Sequence, residues 1–232
     1  MKNSALGICG IALVAIIPSA AVMGRAKNGT VKDVEGNMYK TVVIGTQTWM
    51  SENLRATKYQ DGTPISLVTD HKEWRALRDG AYCNYDNDPG KAAIYGRLYN
   101  FSAVVDSRNI CPGGWHVPTD TEWQAMIDYL GGERAAGDKL KETGNLHWSE
   151  NAHATNSSGF TALPGGHREP NNVGVGDPTF NWIGSMAWFW TSTASSNRGA
   201  SWFRALDSIG PVVKRDHWGS ELGFSVRCIK SL

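Results

Sequence analysis

The most regular pattern of apolar and polar positions predicts a helix that begins after Thr119. Its apolar positions recur at intervals of three and four residues, which places them on one helix face. They are Trp123, Met126, Ile127 and Leu130. Thr119 and Glu122 have the spacing of a capping box, in which each side chain accepts a hydrogen bond from the backbone N–H of the other residue. Two glycines at 131 and 132 end the helix.

Strands are predicted towards both ends of the chain. Residues 31–54 have the pattern of paired strands, because the β-branched segment 39–44 lies between turn residues. Residues 200–206 and 223–229 are again strand-like. We therefore expect strands at both the beginning and the end of the domain.

The middle of the chain is less regular. Short helices are predicted over 71–77 and 134–142, and a polar loop over 84–90. Residues 145–197 are mostly Gly, Asn, Ser, Thr and Trp. A segment of that length is either a functional loop region or a set of short strands.

The N-terminus has the pattern of a secretory signal peptide. Lys2 precedes an apolar run over 5–23, and small residues follow Pro18 where cleavage is expected. We predict a signal peptide over 1–24 and one mature domain over 28–232, exported to the cell surface or secreted. The alternative is a retained anchor, since the run is close to the length that spans a bilayer; contact with a membrane is expected only in that case.

Charge and composition argue against one class of partner and one class of fold. The chain of 232 residues has 23 Lys and Arg against 22 Asp and Glu, a net charge of +1. This balance gives no electrostatic basis for binding nucleic acid. The 10 Trp and 26 Gly favour short strands and ordered loops over a helical bundle.

Three cysteines remain once the predicted signal is removed: Cys83, Cys111 and Cys228. Export permits disulfides, and an odd number allows at most one internal pair. The residues alone leave the pairing open.

Several segments, in order along the chain, resemble the Fibrobacter succinogenes major paralogous domain. They are QTWMSENL, YGRLYN, CPGGWHVPTDTEW, ATNSSGF and the closing GFSVRC. The match begins near Val31 and ends near Ile229. Members of that family are typically surface or secreted bacterial proteins without an established activity.

The family in turn is distantly similar to the C-type lectin fold of formylglycine-generating enzymes. This resemblance implies an α+β fold with two helices, small antiparallel sheets and long irregular loops. It also implies a Cys111–Cys228 disulfide, because the C-type lectin fold often ties its last strand to the preceding helix–strand region. A Cys83–Cys111 bridge is the rival pairing.

The resemblance argues against catalysis. Formylglycine-generating relatives have reactive cysteines in the segment that corresponds to 198–204, and this chain has no cysteine between Cys111 and Cys228. A thiol mechanism there has no nucleophile. Ser201 and His217 are a poor alternative, because catalytic groups are defined by geometry and not by residue type. We expect a protein that is not an enzyme.

A binding function is the leading hypothesis, with a glycan or a surface protein as the ligand. Aromatic faces pack against sugars and anchor interfaces. The C-terminal segment 195–223 also resembles the variable region of ligand-binding proteins of diversity-generating retroelements. The candidate ligand residues are Trp182, Arg198, Asp207, Arg215, His217 and Trp218. A structural component of a surface assembly is the alternative, and an enzyme related to formylglycine-generating proteins is a weaker one.

The surroundings of the tryptophans along the chain predict which are exposed and which are structural. Trp182 and Trp218 lie among polar residues and are expected to be exposed. The tryptophans expected to be structural are Trp115, Trp123, Trp190 and Trp202.

Calcium is the one cofactor that the sequence suggests. Asp86 and Asp88 supply carboxylate oxygens in a polar loop, as a hard cation requires. The spacing lacks the further ligands of an EF-hand, and a solvated turn is the alternative.

Overall fold

The structure is a computed structural model that describes residues 29–170 and 179–231, and the predicted signal peptide lies outside them. The strands are, in chain order, β1 (Gly29–Lys32), β2 (Met38–Ile44), β3 (Gln47–Met50), β4 (Ser66–Leu67), β5 (Ala81–Cys83), β6 (Leu98–Tyr99), β7 (Trp115–His116), β8 (Gly165–Arg168), β9 (Phe180–Ile183), β10 (Met186–Ala194), β11 (Ala200–Asp207), β12 (Val213–Gly219) and β13 (Ile229–Lys230). The helices are α1 (His71–Ala76), α2 (Pro89–Tyr95), α3 (Phe101–Val104), α4 (Asp120–Tyr129) and α5 (Glu133–Leu140). The fold is therefore α+β, as predicted.

The first sheet joins the two ends of the described chain. Its order is β1-β2-β3-β13-β7, with every pair antiparallel. Strands β1 to β3 confirm the paired strands predicted over 31–54. The prediction for 223–229 was wrong, because only Ile229–Lys230 is a strand. The residues before it form isolated β-bridges to different strands: Phe224 pairs with Tyr99 of β6, and Ser225 pairs with Phe189 of β10.

The second and third sheets are mixed, which corrects the expectation of antiparallel sheets alone. The second has the order β12-β11-β10-β8-β9, and β8 runs parallel to β10. The third has the order β4-β5-β6, and β4 runs parallel to β5.

The region 145–197 contributes three strands, of which β10 is nine residues long. The sequence obscured this strand because Phe189 and Trp190 are neighbours and both buried. A strand that is covered on both faces has no alternation of apolar and polar residues to reveal it.

Five helices, rather than two, occur in the described residues. The helix predicted after Thr119 is α4, and its capping box is present, with Thr119 and Glu122 bonded reciprocally. The prediction of a polar loop over 84–90 is wrong at its end, because α2 begins at Pro89. There Asp88 accepts a hydrogen bond from Gly90 and Pro89 occupies the first turn of α2, a position that suits proline because its missing N–H is not needed.

The disulfide joins Cys111 to Cys228, and Cys83 is a buried free cysteine. The pairing implied by the family resemblance is thus confirmed. The bond joins two residues that are 117 positions apart. In the chain-entropy model, a disulfide that closes a loop of this length stabilises the fold by about 4 to 5 kcal/mol.

Candidate ligand-binding site

The second sheet carries most of the predicted ligand residues, but its register separates them. Trp202 lies directly opposite His217, and Ser201 directly opposite Trp218. Directly opposed residues share a face, and successive residues alternate between faces. His217 therefore points to one face of β12 and Trp218 to the other.

The first of these faces packs against α4, and its arginine side chains are paired with a carboxylate. Arg204 and Arg215 lie directly opposite one another, a like-charge pair that would be unfavourable alone. Asp120 bridges them, with Oδ1 accepting from Arg204 Nη2 at 2.7 Å and Oδ2 from Arg215 Nε at 2.8 Å. We call Arg204, Arg215 and Asp120 the charged cluster.

The other side chains of this face are also in contact with one another. The Arg215 guanidinium lies 3.6 Å from the ring centroid of Trp202, and the His217 ring lies 4.8 Å from the same indole. His217 Nε2 also contacts the amide of Asn197. Trp202 is half-buried beneath these groups. Arg215 and His217 thus cover the ring of Trp202, and Arg215 stays partly exposed.

Trp182 and Asp207 lie towards the opposite end of the sheet. Asp207 is paired with Lys214 at 2.9 Å and accepts hydrogen bonds from the amides of Ile209 and Gly210. Burial alone would raise the pKa of Asp207, but Lys214 and the two amides lower it below its usual range. Asp207 therefore orders the loop after β11. Trp182 on edge strand β9 is 59% exposed, as predicted.

The opposite face of the sheet bears a cluster of aromatic rings that reaches the surface. Trp218 is 46% exposed, and its ring centroid lies 6.1 Å from that of half-buried Trp188. The imidazole of His167, on β8, lies 5.0 Å from Trp188 and 6.2 Å from Trp218. We call His167, Trp188 and Trp218 the aromatic site.

His167 is the most unusual member of the aromatic site. It is 2% exposed, and neither ring nitrogen has a hydrogen-bond partner within the described residues. The indole N–H of Trp188 is also unpartnered there. A carboxylate oxygen of Glu169 lies 3.5 Å from His167 Nε2. Each unsatisfied buried polar group lowers the stability of the fold by about 1 to 3 kcal/mol. The aromatic site is therefore destabilising in a way that the paired charges of the charged cluster are not.

The two sites therefore differ in chemistry. The aromatic site offers indole faces at the surface above a buried imidazole, a combination that suits a ligand with C–H faces and hydroxyl groups. In the charged cluster the Asp120 carboxylate is paired with both guanidinium groups, and Arg204 also donates to Glu133 and Gln124.

Sequence reasoning missed His167. It lies in a short segment flanked by Gly165, Gly166 and Arg168, and its importance comes from the ring contacts that β10 and β12 bring to it. Only the three-dimensional pairing of distant strands reveals those contacts.

The predicted calcium ligands are each engaged locally. Asp86 forms an ion pair with Lys91, and Asp88 accepts a hydrogen bond from Gly90 at the start of α2. In the part of the chain that the structure describes, no three His, Cys, Asp or Glu side chains are grouped to hold a metal ion. Calcium at Asp86 and Asp88 stays a prediction.

Ser201 and His217 are not brought together. Ser201 is buried, its hydroxyl lies 2.9 Å from that of Ser220, and its position opposite Trp218 puts it on the other face of the sheet from His217.

The family model for the Fibrobacter succinogenes major domain matches residues 42–230. The chain belongs to this family. The match begins within β2 of the first sheet and covers the second and third sheets and the whole aromatic site. No curated protein and no solved structure matches the chain. Among the described residues, none of the helices is long and apolar enough to cross a membrane.

The motifs by which this Fibrobacter succinogenes major domain resembles its family hold the core. Arg227 in the closing motif is buried and donates hydrogen bonds to Asn53 Oδ1 at 2.7 Å and to the backbone oxygens of Phe160 and Thr161. Its guanidinium lies 4.2 Å from the Phe160 ring centroid. Burial lowers the pKa of Arg227 to about 9. This motif therefore specifies packing, and none of the quoted motifs contains a residue of the aromatic site.

Proposed function

We propose that this domain is a non-catalytic binding module that recognises a glycan at the aromatic site. The observation that supports it best is the exposed indole of Trp218, which extends a cluster of packed rings to the surface of an edge strand. Leaving an indole exposed forgoes about 25 cal/mol for each Å² of apolar surface that burial would remove from water. A sugar ring that packs on the indole recovers part of that energy.

The proposed fold relationship is to C-type lectins in the form found in formylglycine-generating enzymes. The disulfide between Cys111 and Cys228 and the capped helix α4 that follows Cys111 support it. The proposed location is secreted or on the bacterial cell surface. The signal-like pattern over 1–24 supports export, and a disulfide is typical of an oxidising compartment.

A glycan array tests the proposal with the mature domain and two matched variants. Trp218→Ala removes the exposed indole, and Tyr129→Ala removes an aromatic side chain of similar exposure, 56%, on α4. The array is repeated with a calcium chelator, which tests Asp86 and Asp88 as ligands. We expect Trp218→Ala to lose binding and Tyr129→Ala to retain it. Equal behaviour of the two variants would contradict the assignment of the site.

A role in surface assembly is the second candidate, and one observation favours it. Large apolar side chains are exposed near the start of β10, at Trp182, Leu146 and Ile209. The segments that carry them are joined by hydrogen bonds from Ser149 N to Gly184 O and from Ser208 N to Ser185 O. Sedimentation of the wild type and Ile209→Asp tests it. Self-association that the substitution abolishes would support assembly, and a concentration-independent monomer would exclude it.

A further inference from the structure

A cleft of about 430 Å³ opens between the end of α1, the start of α3 and the end of β12. Its charged lining residues are Arg75, Arg78 and Glu221, with hydroxyl groups from Ser102 and Ser220. Two guanidinium groups thus face a single carboxylate. None of the six candidate ligand residues lines this cleft, although Arg198 directly precedes Gly199, which does.

The positive charge in the cleft is not neutralised within the described residues. Arg75 is exposed and forms no ion pair or hydrogen bond there. Arg78 uses Nη1 on the backbone oxygens of Ala76 and Leu77 and forms no ion pair there. The Glu221 carboxylate folds over Gly219, where an added Cβ atom would lie 2.6 Å from it. Two uncompensated guanidinium groups in one concave site favour an anionic ligand.

The hydroxyl groups of the cleft are already engaged. Ser102 donates a hydrogen bond to Arg78 O at 2.9 Å, and Ser220 donates one to Gly199 O at 3.1 Å. The guanidinium groups are therefore the free donors. Their planar fork matches an oxyanion, such as a carboxylate or a sulfate, better than a neutral hydroxyl group.

The cleft adjoins the aromatic site. Ser220 follows Trp218 by two residues, and its hydroxyl lies 2.9 Å from that of Ser201, the residue directly opposite Trp218. On the far side, Trp74 donates its indole N–H to Glu221 O at 2.7 Å and directly precedes Arg75. Ser220 lies two residues beyond Trp218, so the cleft begins at most about 7 Å along the chain from the backbone of Trp218, a distance that neighbouring sugar units bridge.

We propose that Arg75 and Arg78 bind the carboxylate or sulfate group of an acidic glycan whose adjacent sugar ring packs on Trp218. This inference rests on the proposed function and narrows it from glycans in general to acidic glycans. The shared chemistry is an oxyanion on a sugar, and the two sources, uronic acids and sulfated sugars, are separated by the test.

The test measures affinities of the mature domain for three tetrasaccharides: an oligogalacturonate, a sulfated oligogalactoside and a neutral oligogalactoside. Arg75→Gln removes one guanidinium from the cleft. Lys72→Gln is the matched control, because Lys72 is an exposed cation on the same helix but does not line the cleft. We expect Arg75→Gln to weaken binding of an acidic probe on the order of tenfold, as a charge-assisted bond predicts, and Lys72→Gln to leave it within about twofold.

The probes identify the source of the oxyanion, since a preference for the uronate or for the sulfated probe assigns it directly. Equal affinity for neutral and acidic probes, or equal loss of affinity in both variants, would overturn the proposal that Arg75 and Arg78 bind an oxyanion. Either result would leave the proposal of glycan binding at the aromatic site intact. Should none of the tetrasaccharides bind, a titration with inorganic sulfate tests whether the cleft binds an oxyanion, independently of glycan binding. Saturable shifts of the Arg75 and Arg78 Nε–H resonances would support it, and their absence would overturn it.

Discussion

The two faces of the second sheet are built from the same strands and differ in the groups that they bring together. On the α4 side, the carboxylate of Asp120 bridges Arg204 and Arg215, although Trp123 Nε1 and His217 Nδ1 are buried there without a hydrogen-bond partner in the described chain. On the other side, the nitrogens of His167 and Trp188 are buried without partners in the described chain. Ion pairs that join the sheet to α4 indicate a structural role, whereas unsatisfied groups beside an exposed indole indicate a site that is open to a ligand.

The largest effect is expected at Arg204. Arg204→Met leaves the Asp120 carboxylate without its buried partner, and Arg204 itself is only 1% exposed. Loss of one member of a buried pair costs about 3 kcal/mol or more. Chemical denaturation should therefore show a large decrease in the free energy of unfolding. A change below about 1 kcal/mol would remove the distinction between the two faces.

The capping box of α4 predicts a smaller, pH-dependent effect. Burial alone would raise the pKa of Glu122, but hydrogen bonds from Thr119 and His116 lower it below its usual value. A lowered folded-state pKa gives stability that is present above the unfolded value, about 4.3, and is lost as the pH falls through the folded value.

Glu122→Gln should consequently be less stable than the wild type by about 1 kcal/mol at neutral pH. This difference in the free energy of unfolding should shrink as both proteins are titrated below pH 4. A difference that stayed constant down to low pH would show that the Glu122 charge contributes nothing.

A change of opposite sign is expected at His167. His167→Phe replaces two unpartnered ring nitrogens by carbon in aromatic surroundings, and removing unsatisfied polar atoms is neutral or stabilising by about 1 kcal/mol. Calorimetry should show an unchanged or higher unfolding midpoint together with weaker ligand binding. A strongly lowered midpoint would mean that the imidazole has a structural partner.

The smallest effect is expected at Arg215, whose side chain is partly exposed. Arg215→Gln removes a surface ion pair, which contributes at most about 1 kcal/mol. Glycan affinity should not change. A large loss of affinity, measured under conditions where the variant is fully folded, would place the ligand on the α4 face instead.

How far the sequence predicts this molecule depends on the range of the interactions. Helix α4 was predictable because its cap and apolar face lie within twelve residues, and the exposure of Trp182 and Trp218 followed from their polar neighbours. Strand β10 was not, because its two covered faces hide any alternation.

The candidate site depends on contacts between distant strands. As successive residues of β12, His217 and Trp218 lie on opposite faces, and His167 enters the aromatic site only because β8 pairs with β10. The second fact is not encoded in local spacing, and the first requires knowing that β12 is a strand. The predicted ligand residues were therefore grouped by their position in the chain, whereas the structure divides them between two faces and two ends of the sheet.

The most direct test measures glycan affinity and the unfolding midpoint on the same preparation of Trp218→Ala, using a glycan that the wild type binds. If the aromatic site binds the ligand and the α4 face holds the fold, affinity should fall at least about tenfold while the midpoint changes by no more than about 4 °C. Unchanged affinity, or a loss of affinity that only parallels unfolding, would contradict the account.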